Sequence, residues 1–170
     1  MNTRHAVTAT ELGEITLVAE GDALVGLYFP HHWYRPSQTA FGGRVQLGAD
    51  RLLSEAAAQL DEYLSGDRRT FDIRTATRGD AFQERVWELL REIPFGETTT
   101  YGALAHALGD RTLAQSVGEA VGRNPLSVFI PCHRVVGRDG RLTGYAGGLS
   151  RKRFLLRLEE PAPVRAGRPF

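Results

Sequence analysis

A single cysteine, Cys132, stands in 170 residues, and that scarcity excludes a good deal. It rules out an internal disulfide framework and any zinc site built from several cysteines. Lysine is equally rare, since Lys152 is the only one and every other long basic side chain is an arginine. That bias reads as high-GC coding and carries little functional content. No apolar run is long enough to span a membrane, and the N-terminus lacks the cationic-then-apolar layout of a secretory signal. The expected compartment is a reducing cytoplasm, where a lone thiol survives.

What is present is ordinary in bulk and uneven in detail. A chain with 42% hydrophobic and 24% charged residues is typical of a soluble globular protein, and its length allows one domain or two small ones without staples. The net charge of +1 hides a basic stretch. Between positions 123 and 157 stand Arg123, Arg134, Arg138, Arg141, Arg151, Lys152, Arg153 and Arg157, against Asp139 as the one acid. Such a stretch is expected to face phosphate, with a plain solvated face as the alternative.

The first part of the chain reads as β-rich. His5–Thr10, Ile15–Glu20 and Leu24–Phe29 are short runs separated by hairpin-like turns at 12–14 and 21–22. Residues 30–43 show no period and read as a loop. From Asp50 to Leu64, the residues Leu52, Leu53, Ala56, Ala57, Leu60 and Leu64 recur at helical spacing, with Gly66 as a stop. Residues 71–73 are expected to return as a strand, and 75–80 to act as a linker.

Beyond the linker the pattern turns helical. Asp80 is placed to cap a helix whose stripe is Phe82, Val86, Leu89, Leu90 and Ile93, ended by Pro94 and Gly96. Thr100 and Tyr101 open a short helix stopped by Gly109, and Thr112 opens another that ends at Gly122. Two short helices joined by a glycine-containing turn read as a helix-turn-helix. Residues 128–131 read as a short apolar strand or extended segment that delivers Cys132, and a last helix is expected to begin at Leu149 or Ser150. The expected fold class is α+β, with domains at 1–76 and 77–160 and a flexible tail at 161–170.

Chemistry concentrates in Ile130-Pro131-Cys132-His133-Arg134-Val135-Val136. A lone cysteine is more often a small buried hydrophobe than a nucleophile. Here a histidine and an arginine adjoin it, and a thiol needs a base or a cation to ionise near neutral pH. Adjacent side chains on an extended segment point apart. His133 is therefore expected to reach the thiol through a water or a backbone bend, as a proton relay.

This stretch resembles the active-site motif of the O6-alkylguanine-DNA alkyltransferases. The likeness runs from about Phe82 to Glu159. It includes Phe95-Gly96-Glu97-Thr98-Thr99-Thr100-Tyr101, Val117-Gly118, Arg123-Asn124-Pro125, Gly144-Tyr145-Ala146-Gly147-Gly148-Leu149 and the closing Glu159. The first part matches the family's RNase H-like domain by order of elements only. The resemblance implies a C-terminal domain with a winged helix-turn-helix-like motif. It also implies stoichiometric, irreversible transfer of an alkyl group to Cys132 from O6-alkylguanine in double-stranded DNA, with O4-alkylthymine as a second candidate substrate. The protein would be consumed in one turnover and would act as a monomer without cofactor, metal or membrane; cooperativity on DNA is left open.

Roles follow residue by residue from the same resemblance. Cys132 accepts the alkyl group, His133 takes its proton through water, and Glu159 orients His133. Asn124 ties the turn after the recognition helix to the cysteine segment, and Tyr101 hydrogen-bonds the guanine. Val135, Tyr145 and Ala146 surround the base. Gln115, Ser116, Gly118, Arg123, Arg138 and Arg141 meet DNA, the helix entering the minor groove around a flipped base. Where the family usually carries an arginine on that helix, this chain has Gln115. The expectation is an active protein with weaker DNA affinity or a less stable flipped state.

Two other classes compete with this reading. A non-catalytic lesion-binding relative would lack the acceptor cysteine, which is present here. A cysteine hydrolase usually draws its histidine from a distant part of the chain, whereas Cys132 and His133 are adjacent. His31 and His32 beside Trp33 read as a loop feature, not a metal-ligand pair.

Overall fold

In a computed structural model, residues 2–161 are described, and the chain separates into two units. The first comprises Met1–Thr77 with Pro125–Phe129, and the second Arg78–Asn124 with Ile130–Phe170. Each has its own elements, and together they make an α+β protein. Of the tail expected from position 161, residues 162–170 lie outside the described residues.

The first unit is a four-stranded sheet in the order β3-β2-β1-β4. Strands β1 (Thr3–Thr10), β2 (Gly13–Glu20) and β3 (Ala23–Tyr28) form an antiparallel meander. The short β4 (Gly43–Arg44) lies parallel to β1. The central strand β2 is buried continuously from Ile15 to Ala19 because both of its faces are covered. On one side Val18, Tyr28 and Phe41 cluster, with Tyr28 stacked on Phe41 at 5.3 Å. Helix α1 (Arg51–Leu64) packs against β1, β2 and β3 through Leu53, Ala56, Ala57, Leu60, Tyr63 and Leu64. Asp50 caps it by accepting from the Leu53 amide at 3.0 Å.

Residues 71–73, expected as a strand, do not form one. The Gln59 side chain occupies both backbone groups of Asp72. Its Oε1 accepts from the Asp72 amide at 2.8 Å, and its Nε2 donates to the Asp72 carbonyl at 3.2 Å. A side-chain amide thus replaces the ladder that a neighbouring strand would supply. Residues 125–129 complete this unit. The Leu27 amide donates to the Pro125 carbonyl at 2.9 Å, and Phe129 lies 4.4 Å from Phe71, ring centre to ring centre.

In the second unit, Asp80 and Gln83 make a reciprocal capping box at the start of α2 (Ala81–Arg91). Trp87, buried on that helix, donates from Nε1 to the Ala120 carbonyl at 2.9 Å and so anchors α4 (Ala114–Gly122). The other member of the helix-turn-helix is α3 (Tyr101–Ala107), capped by Thr100. A single 3₁₀ turn at Arg111–Leu113 stands where the second helix was expected to open, so α4 begins at Ala114. Strands β5 (Thr99–Thr100) and β6 (Val135–Val136) pair in parallel, and α5 (Leu149–Glu159) closes the unit.

Candidate active site

The placement of Cys132 begins with Pro131. Its ring fixes φ, and at φ −79° and ψ 64° the residue adopts an inverse γ-turn. The Cys132 amide closes that turn on the Ile130 carbonyl at 2.8 Å. The same carbonyl accepts from Nδ2 of the buried Asn124 at 2.9 Å. One oxygen therefore joins Asn124, two residues beyond α4, to the turn that carries the cysteine. The chain then runs through a 3₁₀ turn, Cys132–Arg134, before entering β6. This turn supplies the backbone bend between Cys132 and His133.

His133 and Glu159 are buried, and His133 Nε2 meets Glu159 Oε2 at 2.8 Å. Arg134 takes the same carboxylate with both arms of its guanidinium, Nε to Oε1 and Nη2 to Oε2, each at 2.8 Å. Its remaining nitrogen, Nη1, donates to the Ile93 carbonyl at 2.6 Å, and the Gly96 amide donates to Oε1 at 3.3 Å. Burial alone would raise the pKa of Glu159, but the His133 and Arg134 bonds prevail and hold it far below the usual carboxylate range. Glu159 is an anion, and an anion only accepts. His133 Nε2 therefore carries the hydrogen, and Nδ1 is the ring's basic nitrogen. Burial pulls the His133 pKa down, Glu159 pushes it up, and Arg134 and Lys152 add to the lowering. The net direction is down, so the imidazole is neutral near pH 7 and competent as a base.

Tyr101 opens α3, and its hydroxyl accepts from Thr143 Oγ1 at 3.3 Å. Burial raises its pKa, the Thr143 bond lowers it, and Cys132 raises it further. The net rise keeps the phenol protonated as a hydrogen-bond donor. Gly118 on α4 faces this ring, and a Cβ built there would lie 3.7 Å from Tyr101 Cδ1. Cys132, Val135, Tyr145 and Ala146 are buried.

The remaining expected DNA-binding residues lie apart from this core. Gln115 and Ser116 are exposed on α4, and Arg123, just after it, pairs with Glu119 at 3.4 Å. Arg138 and Arg141 are exposed on the turn where the Gly137 amide bonds the Arg141 carbonyl at 2.7 Å. The basic stretch itself needs correction, because Arg134 and Lys152 are buried and cannot face phosphate. Arg134 belongs to the site instead, a role the sequence reading missed. A clue was available, since an arginine inside an apolar run needs a partner. Among the described residues no group of three or more His, Cys, Asp or Glu gathers as a metal site. His32 instead accepts from the Phe29 amide through Nδ1 at 3.2 Å.

The comparisons with known proteins cover both units. Residues 3–77 match the model of the 6-O-methylguanine DNA methyltransferase ribonuclease-like domain, and residues 81–161 that of the same family's DNA-binding domain. The methylated-DNA--protein-cysteine methyltransferase of Mycobacterium tuberculosis is 43% identical over 149 residues, covering 88% of this chain and 87% of that protein. That of Methanosarcina acetivorans is 47% identical over 110 residues, 65% of this chain and 70% of the relative. A crystal structure of Mycobacterium tuberculosis OGT in complex with DNA superposes with a TM-score of 0.82 at 37% identity, over 97% of this chain and 99% of that one. On these two domain matches and this identity, the chain belongs to the 6-O-methylguanine DNA methyltransferase family.

Proposed function

We propose that this protein repairs DNA by moving the alkyl group of O6-alkylguanine onto Sγ of Cys132, once and irreversibly. The observation that supports this most is the buried His133–Glu159 pair beside Cys132, with Glu159 fixed by Arg134. His133 Nδ1 takes the thiol proton through a water. The sulfur lone pair then forms a bond to the alkyl carbon as the bond from that carbon to O6 breaks. The electrons of the broken bond go to the guanine, and the proton held on His133 returns to the base, which leaves neutral. Tyr101, kept protonated, donates to the guanine ring and makes it a better leaving group. The thioether is stable, so no second turnover follows.

Reaching O6 requires the base to leave the stack, at a cost of a few kcal/mol. In this reading α4 enters the minor groove, and its small residues Ala114, Ser116 and Gly118 let the backbone approach closely. Gln115 fills the vacated space, Arg123, Arg138 and Arg141 meet phosphates, and backbone groups at Val135, Tyr145 and Ala146 read the base edge. Cys132 is 3% exposed, so the alkyl carbon has to be brought to a nearly buried sulfur. No helix among the described residues is long and apolar enough to cross a membrane. The proposed repair is carried out by a monomer on nucleoid DNA in the cytoplasm.

Titration with a duplex containing O6-methylguanine tests this. Demethylation should stop at one equivalent per protein and should be absent in Cys132→Ala. Continued turnover, or repair by the alanine variant, would refute it.

A further inference from the structure

Thr143 is exposed on the segment between the 138–140 turn and α5, and the alkyl-transfer route above gives it no part. Its place follows from the pairing of β5 with β6. The two strands run parallel with Thr100 opposite Val136, so Tyr101 and Gly137, the next residue of each, leave the pair at the same end. The Gly137 amide then closes a turn on the Arg141 carbonyl at 2.7 Å and brings the chain back toward Gly137. A Cβ built at Gly137 would lie 2.5 Å from Thr143 Cγ2, so the threonine methyl occupies the space that the glycine leaves. From that seat Thr143 Oγ1 donates to the Tyr101 hydroxyl at 3.3 Å. Gly118 of α4 lies against the same ring, where a built Cβ would come within 3.7 Å of Cδ1. The phenol thus has the recognition helix at its ring and Thr143 at its oxygen.

A phenolic oxygen carries one hydrogen to donate and lone pairs that accept. Accepting from Thr143 fills the side of the oxygen that faces the threonine, so the hydrogen of Tyr101 points away from it. An accepted bond also polarises the O–H group that receives it and makes it a stronger donor. Burial raises the Tyr101 pKa, and the Thr143 bond opposes that rise. We propose that Thr143 is a positioning residue for the transfer: its hydroxyl aims the Tyr101 proton at the departing guanine, and its methyl seats it on Gly137. This rests on the reading of Tyr101 as the donor to the base. No bond to Thr143 forms or breaks. The turn that seats Thr143 also bears Arg138, and Arg141 supplies the carbonyl that closes it. The arginines assigned to phosphate and the hydroxyl that aims Tyr101 therefore share one support.

Single-turnover transfer from an O6-methylguanine duplex, followed over a range of protein concentrations, separates affinity for the duplex from the limiting rate. Thr143→Val removes the hydroxyl and keeps the shape, at an exposed position away from the core. Its limiting rate should fall about fivefold, the size of one neutral hydrogen bond, with duplex affinity unchanged. Thr143→Ser keeps the hydroxyl and should recover most of the rate. In a Tyr101→Phe background Thr143→Val should change nothing further, because the hydroxyl it aims is gone. A wild-type rate in Thr143→Val, no recovery in Thr143→Ser, an equal fall in the Tyr101→Phe background, or a loss confined to affinity would each overturn the proposal. A direct contact of Thr143 with DNA would show as the last two. Wild-type protein that leaves the duplex methylated would reject the repair reading itself, and the role of Thr143 with it.

Discussion

Arg134 and Glu159 meet as a two-armed ion pair with both contacts at 2.8 Å, and His133 binds one of the same two oxygens at 2.8 Å. The guanidinium makes the carboxylate permanent, so that Glu159 orients His133 without taking its proton. Without Arg134, a buried carboxylate against a buried imidazole could protonate or draw the imidazole into the cationic form. With it, His133 stays neutral and basic at Nδ1.

Removing the carboxylate charge therefore has two effects. Glu159→Gln leaves the Arg134 guanidinium buried without its anion and should destabilise the fold by about 3–5 kcal/mol, measured by urea denaturation. Alkyl transfer by the folded fraction should slow as well. A loss below about 1 kcal/mol, in the range of an exposed pair, would contradict the burial and pairing described here.

Acid should act through the same residues. The pKa values of His133 and Glu159 are both lowered on folding, from ordinary values of 6.5 and 4.5. Their contribution is complete above those ordinary values and is lost as pH falls toward the lowered ones, because the unfolded chain then binds protons that the folded chain refuses. Stability followed by thermal melting should decline below about pH 6.5, when His133 begins to count, and more steeply below about pH 4.5. A Glu159→Gln variant should lack the steeper part.

Asn124 offers a third check. Its side chain is one of two donors to the Ile130 carbonyl, and Asn124→Ala should cost about 1–3 kcal/mol by urea denaturation. The tie between the end of α4 and the cysteine turn is lost with it, so the methyl-transfer rate of the folded variant should also fall. An unchanged rate would limit Asn124 to a stabilising role.

At the exposed position 115, Gln115→Arg should tighten binding to an alkylated duplex by about tenfold, the equivalent of one charge-assisted contact worth about 1.4 kcal/mol. Fluorescence anisotropy across a salt series checks this, and binding should weaken as salt rises. Equal or poorer affinity would remove Gln115 from the role of filling the vacated space.

Local signals carried much of the fold. Asp80 and Gln83 show their capping box as a spacing of three residues, and the hairpin turns fall where the β runs break. Cys132, His133, Asn124, Tyr101 and Glu159 were singled out by a motif whose members lie far apart along the chain. Other features depend on contacts that no local pattern displays. The segment 71–73 has strand composition, yet Gln59 takes the backbone groups of Asp72. Arg134 and Lys152 read as surface charge because sequence gives the side chain and not its burial. Each lies inside because a distant group receives it, Glu159 in one case and the Gly144 carbonyl in the other. The pairing of β5 with β6 spans two residues per strand, too short for any periodicity.

The most direct measurement of the central claim is the mass of the protein after incubation with an O6-methylguanine duplex. The intact chain should gain a single methyl group, and the peptide bearing Cys132 should carry it, with no gain in Cys132→Ala. Recovery of the unmodified peptide from a reaction in which the guanine has been restored, or a methyl group on any other residue, would contradict the assignment of Cys132 as the acceptor.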